Sequence, residues 1–230
     1  VLPPDSSTNF KETKITLTFD EYVEVQGIQE NLLVSPTPKV IPDVSYKLNT
    51  ILIKIKDTLE ANTTYSLDFG NAIKDINEGN VAKNFTYIFS TGPAIDSLEL
   101  SGKVFLAESG KMDTTLVVLL HRSGDDSAVV NERPRYIAKQ TGTGNFTFRN
   151  LPAGTYYIYA LKSESGSFNY RPPDQYFAFN NEPVVVSDSV KPVTLFAYKE
   201  KEERETKAPS GNNRGTAADK TLKLEPVLEN

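Results

Sequence analysis

The chain has 230 residues, with 25 Lys and Arg against 30 Asp and Glu, no Cys, no Trp and a single His. A formal net charge of −5 argues against a sequence-independent grip on nucleic acid or anionic lipid, which depends on an excess of cations. Zero Cys excludes thiolate catalysis, Fe–S clusters, Cys-rich zinc sites and disulfides, while one histidine, His121, excludes any two-histidine metal motif.

Alternation with a period of two starts at Ile15, Leu17 and Phe19, which share one strand face while Thr16 and Thr18 share the other. The pattern repeats at Val44, Tyr46 and Leu48, then at Ile51, Ile53 and Ile55. Tyr65, Leu67 and Phe69 follow it, as do Phe85, Tyr87 and Phe89. Each run ends in strong turn chemistry, as at Ser35-Pro36-Thr37-Pro38, Ile41-Pro42-Asp43 and Glu78-Gly79-Asn80. This spacing predicts a β-sandwich, and helical periodicity is almost absent.

A second set of strands is predicted after Thr91-Gly92-Pro93. Leu98, Leu100, Val104 and Leu106 share a parity with Gly102 between them, where a bulge or a close backbone approach is expected. Leu116 to Leu120 reads as a fully buried run. Phe146 and Phe148 lead through Leu151-Pro152-Ala153-Gly154 into the aromatic strand Thr155 to Leu161. Phe177 with Phe179, Val184 to Val186 and Val193 to Tyr198 complete the set. The longest apolar runs fall far below the roughly 18 to 20 residues that span a bilayer.

The expected fold class is all-β, two consecutive β-sandwich domains over 1–93 and 94–198, with a short, stiff hinge at Gly92-Pro93-Ala94. Residues 199–230 read as a charged, flexible linker. Within it, Thr221 to Pro226 alternates again, as the first strand of a further domain or as a frayed strand.

Residues 15 to 92 resemble the bacterial Ig-like domain first described in S-layer proteins. The first strand Ile15-Thr16-Leu17-Thr18-Phe19-Asp20-Glu21 carries the likeness, as does Asn62-Thr63-Thr64-Tyr65. So do the loop of Ile73-Lys74-Asp75 with Gly79-Asn80 and the closing strand Phe85 to Gly92. Residues 98 to 161 resemble, more loosely, the transthyretin-like modules called carboxypeptidase-regulatory-like. Here the match runs through Leu100-Ser101-Gly102-Lys103-Val104, Gly144-Asn145-Phe146-Thr147-Phe148 and Leu151-Pro152-Ala153-Gly154-Thr155-Tyr156. The family's usual acidic residue before the Gly-x-Phe strand is replaced around Gln140-Thr141-Gly142-Thr143.

The pair in this order resembles Ig-like domain-containing surface lipoproteins of Gram-negative bacteria. That resemblance implies an exported protein, in the periplasm or at the outer-membrane cell surface, lipid-anchored through a cysteine upstream of Val1. Related pilin-type sandwiches form Lys–Asn isopeptide bonds beside a buried acid; that acid would fall at Ala160 here, which makes Lys103 a plain edge lysine. Five segments (Asp57-Thr58-Leu59, Asp96-Ser97-Leu98, Asp113-Thr114-Thr115, Asp126-Ser127-Ala128 and Asp188-Ser189-Val190) resemble an O-glycosylation signal of exported bacterial proteins. Equally, they read as Asp-capped turns.

The residues mark no chemistry. His121 closes an apolar run, and neither a nucleophile nor an orienting carboxylate is marked beside it. Asp75-Ile76-Asn77-Glu78-Gly79-Asn80 opens like a calcium loop, but the twelfth position, where a bidentate Glu is needed, is Thr86, so a tight turn is expected. Catalytic, metal and cofactor residues are therefore expected to be none. Consecutive Tyr156 and Tyr157 point to opposite faces, so at least one belongs to the core. Phe168, Tyr170 and Tyr176, in and beside the polar insertion from Ser163 to Asp174, are the candidate ligand contacts. The expected function is a non-enzymatic spacer or presentation module with surface glycan or protein partners, no nucleic acid, and membrane contact only through the upstream anchor. The alternatives are a glycan- or peptide-binding module using loops of the second domain, and an accessory domain of an enzyme.

Overall fold

The structure, a computed structural model, describes residues 1–163, 166, 168–171 and 175–199. The linker after residue 199, the alternation at Thr221 to Pro226 and part of the 163–174 insertion lie outside those residues.

The first lobe holds two three-stranded antiparallel sheets. Strands β1 (Lys14–Thr18), β5 (Thr50–Lys54) and β4 (Asp43–Lys47) form one in the order β1-β5-β4. Its register sets Ile15 opposite Ile53 and Leu17 opposite Ile51, and all four side chains are fully buried. Strands β3 (Leu33–Ser35), β6 (Thr64–Asp68) and β8 (Thr86–Ser90) form the other, pairing Tyr65 with Phe89 and Leu67 with Tyr87. The two rows meet in one core together with Phe10, Val34, Phe69 and Ile73. Aromatic packing thickens it: Phe89 lies 4.0 Å from Phe10 and stacks on Tyr65 at 5.2 Å. A ribbon of β2 (Val23–Val25) and β7 (Ile73–Asp75) and the one-turn helix α1 (Ile28–Asn31) complete the lobe.

The alternating run Val44, Tyr46 and Leu48 reaches the core only through Val44, which packs against it half-buried. Tyr46 stands opposite Ile51, yet it is 49% exposed, and Leu48 at 58% sits in a turn with φ of 57°. β4 is the outermost strand, paired on one side only, so its inward row reaches solvent.

In the second lobe, β12 (Asn145–Leu151), β9 (Leu98–Leu106) and β16 (Val193–Ala197) form a sheet in which β16 runs parallel to β9. Strands β11 (Tyr136–Lys139), β10 (Leu116–His121), β13 (Gly154–Lys162) and β14 (Phe177–Phe179) form the other, with β15 (Val184–Val186) also on β13. Their core gathers Leu100, Val104, Phe146, Phe148 and Leu195 with Val118, Leu120, Tyr156 and Ile158. Gly102 is a point of close approach: a Cβ there would lie 2.0 Å from the Val193 carbonyl oxygen and 2.5 Å from the Phe146 ring. The register break of this sheet lies elsewhere, between Phe148 and Leu151.

All six residues of β10 are buried, although antiparallel strands usually keep one wet face. Leu116, Val118 and Leu120 join the core; Val117 and Leu119 join a separate cluster with Val129, Ile137, Leu161 and Phe177 on the outer face. Val129 comes from the one-turn helix α2 (Ala128–Asn131), within the insertion that covers this face. Leu33 of the first lobe packs against the same cluster.

Candidate functional site

Where the lobes meet, a polar seam joins them. The Thr37 backbone N–H donates to the Arg135 carbonyl at 2.9 Å, and the Arg135 guanidinium donates to both carboxylate oxygens of Glu60 at 2.5 and 2.7 Å. Arg133 donates to the carbonyls of Pro38 and Lys39, and the Lys139 ammonium donates to the Glu30 carbonyl at 2.6 Å. The connector is tied down as well. The Asp96 N–H donates to the Thr64 hydroxyl at 2.8 Å, and the Asn150 amide donates to the Asp96 carbonyl at 2.9 Å. Hydrogen bonding to Arg135, above all, holds the Glu60 carboxyl below its ordinary range, while burial lowers the Lys139 ammonium.

Beside the seam lies a cleft of about 430 Å³. Val34, Ile55, Leu59, Tyr65 and Phe89 line it from the first lobe, His121, Arg122 and Arg135 from the second. Asp57 holds its Pro-rich wall: one carboxylate oxygen accepts the Lys39 N–H at 2.6 Å and the Val40 N–H at 3.4 Å. His121 is 2% exposed, meets Tyr159 edge-on at 5.6 Å between ring centres, and has no hydrogen-bond partner for Nε2. Burial pushes it down to about 4, so its imidazole is neutral near pH 7. Among the described residues no nucleophile–base–carboxylate chain runs through it.

The aromatic candidates of the insertion fold back onto the protein. Phe168 and Tyr170 are half-buried against the outer cluster, and the Tyr170 ring stacks 4.1 Å from Phe177. The Tyr170 N–H donates to Val129, and the Asn169 amide to Val130 and Glu132, which fastens this segment to α2 and its C-terminal flank. Tyr176 packs against the main core of the second lobe. The three do not converge on one exposed surface: two belong to the outer cluster and one to the other face of the sheet. Tyr156 is buried and Tyr157 half-buried on the opposite face.

The Asp75 loop is a turn. Its carboxylate accepts the N–H groups of Asn77 and Glu78, both at 2.8 Å, and Gly79 has φ of 72°. Among the described residues no cluster of three or more His, Asp or Glu side chains is placed to hold a metal. Lys103 is exposed opposite Asn145, whereas Ala160 lies in the core of the other sheet. The hydroxyl residues of the five Asp-Ser/Thr segments, Thr58, Ser97, Thr114, Ser127 and Ser189, are all exposed. The seam and its cleft were missed from sequence because their residues are far apart in the chain: Glu60 and Arg135 are separated by 75 positions.

The first lobe has a family counterpart. Residues 1–91 match the bacterial Ig-like domain family. The Ig-like match thus ends at the connector, short of the second lobe. Among solved structures, the major pilin subunit BcpA of Bacillus cereus is similar at 13% identity, covering 81% of this chain and 59% of its own, with a TM-score of 0.28. The group B streptococcus pilus 2b backbone protein is similar at 10% identity, covering 86% and 91%, with a TM-score of 0.29. The N-terminal part of the bacterial S-layer protein SbsC is similar at 14% identity, covering 85% and 43%, with a TM-score of 0.29. The chain spans about three fifths of the length of the first of these. No curated protein matches the chain. No helix among the described residues is long and apolar enough to cross a membrane.

Proposed function

We propose that this chain is a non-enzymatic structural module of an exported bacterial surface protein, one that holds neighbouring parts of that protein at a set separation. The observation that carries the reading is the seam. Two lobes with separate apolar interiors are pinned by bonds from the 37–39 loop, Glu30 and Glu60 to Arg133, Arg135 and Lys139, and by the tethered connector at Asp96. Interfaces between lobes of one chain ordinarily leave relative motion as the default, and cross-lobe hydrogen bonds at several points oppose it. The Ig-like match over residues 1–91 supports a surface setting.

In its finer form the proposal divides the chain into an Ig-like sandwich over 1–93 and a transthyretin-like sandwich over 94–198. It places them on a lipoprotein of the periplasm or outer-membrane surface, on the two-module resemblance alone.

The test is a distance measurement. The chain has no cysteine, so Lys47→Cys and Glu182→Cys, both at exposed positions, take spin labels cleanly, one on each lobe. A single narrow distance distribution, unchanged from low salt to about 0.5 M salt, supports the reading. A broad or bimodal distribution overturns it.

A further inference from the structure

The cleft beside Glu60 has the make-up of a ligand pocket, which goes beyond the structural role above. Its volume of about 430 Å³ lies within the range of small-molecule sites. The first lobe contributes an apolar stretch, Val34, Ile55 and Leu59 beside the rings of Tyr65 and Phe89, next to the polar Asp57 and Glu60. Facing it are the cations Arg122, Arg133 and Arg135, with Lys39 on the rim.

The carboxylates sharing this space differ in how far they are engaged. Glu60 is held by two guanidinium nitrogens of Arg135, and Asp57 accepts the N–H groups of Lys39, Val40 and Thr58. Glu132 is exposed at the margin. Arg122 is exposed, and among the described residues no carboxylate lies within ion-pair distance of it. Behind it sits His121, buried with an unpartnered Nε2.

Arg122 feels the Glu60 carboxylate only at longer range, and a guanidinium with no ion-paired carboxylate beside apolar side chains suits a molecule with both characters. Its hydrocarbon body gains by leaving water against Ile55 and Leu59, and its negative head gains a charge-assisted hydrogen bond. We propose that this cleft binds a small organic carboxylate with an apolar body, its head on Arg122 and its body against Ile55 and Leu59.

The test titrates the full chain with octanoate, octan-1-ol and octylamine, followed by calorimetry and by amide NMR shifts. Octanoate is expected to saturate one site with shifts grouped around Arg122, Val40 and Leu59, and the alcohol and amine to bind about tenfold more weakly. Arg122→Gln at this exposed position is expected to cost about tenfold in octanoate affinity. Val40→Glu, also exposed, sets a like charge in the cleft and is expected to abolish binding. Equal binding of the three amphiphiles, shifts centred elsewhere, octanoate affinity unchanged in Arg122→Gln, or no saturation by about 10 mM overturns the proposal. None of those outcomes touches the seam, whose test is the distance distribution.

Discussion

Arg135 and Glu60, 75 positions apart, form a two-point guanidinium–carboxylate pair across the seam at 2.5 and 2.7 Å. The geometry is that of a strong pair, but the setting is half wet: the Glu60 side chain is 56% accessible and that of Arg135 19%. Solvent screening therefore limits its contribution, and a double-mutant cycle of Glu60→Gln with Arg135→Gln should return a coupling of about 0.5–1 kcal/mol by urea unfolding. The Glu60 carboxyl is held below its ordinary value of 4.5, so the coupling is present above that pH and is lost as pH falls through the lowered value. A coupling that does not weaken on acidification below pH 4.5, or that salt leaves unchanged, would falsify the assignment of this pair as the electrostatic pin.

His121 sets a second and separate acid response. Its folded-state value is pushed down from 6.5 to about 4 by burial, so the folded protein binds fewer protons than the unfolded chain between those limits. The sign follows: stability is full above about pH 6.5 and declines as pH falls toward about 4, by a total of about 3 kcal/mol. His121→Leu, close in volume and apolar, should flatten the melting temperature across that interval while leaving the loss at lower pH that comes from Glu60. If His121→Leu melts with the same pH profile as the parent chain, the imidazole is not the titrating group.

The two apolar rows around β5 give a graded test of burial. Ile51→Ala empties space in the first core and should cost about 3 kcal/mol in urea unfolding. Tyr46→Ala, directly across the ladder from it, should cost under about 1 kcal/mol, because the ring is half exposed on an edge strand. Equal losses at the two positions would mean that the edge is covered in solution.

These residues also show what a linear reading can and cannot reach. Period-two alternation places Ile15, Leu17, Ile51 and Ile53 in the core because strand geometry alone decides which side chains share a face. It says nothing about which strand lies at the edge, and so it treats Tyr46 as it treats Ile51. The apolar run Leu116 to Leu120 reads correctly as buried, yet the cover over its second face comes from Val129 of the one-turn helix α2 and from Tyr170 of the polar insertion, neither of which shows strand alternation. That same cluster half-buries Phe168 and Tyr170, the candidate ligand contacts of the polar insertion, through packing that the linear sequence does not show. The cleft is the extreme case. Leu59, Arg122 and Arg135 carry no local signal, and only the packing of one lobe on the other gathers them.

Glycine, finally, separates steric necessity from backbone conformation. At Gly102 the chain has ordinary negative-φ strand geometry, but β16 passes so close that a methyl group would meet the Val193 carbonyl oxygen at 2.0 Å and the Phe146 ring at 2.5 Å. Backbone cannot yield as a side-chain tip does, so Gly102→Ala must push β16 from β9 or break their parallel ladder, with an expected loss of more than about 3 kcal/mol. Gly79 is the converse, a turn residue with φ of 72° and nothing within 4 Å of the added carbon. Gly79→Ala should cost only about 1 kcal/mol, through backbone strain alone. Side-by-side urea unfolding decides it, and a Gly102→Ala protein as stable as Gly79→Ala would place β16 farther from β9 than the ladder requires.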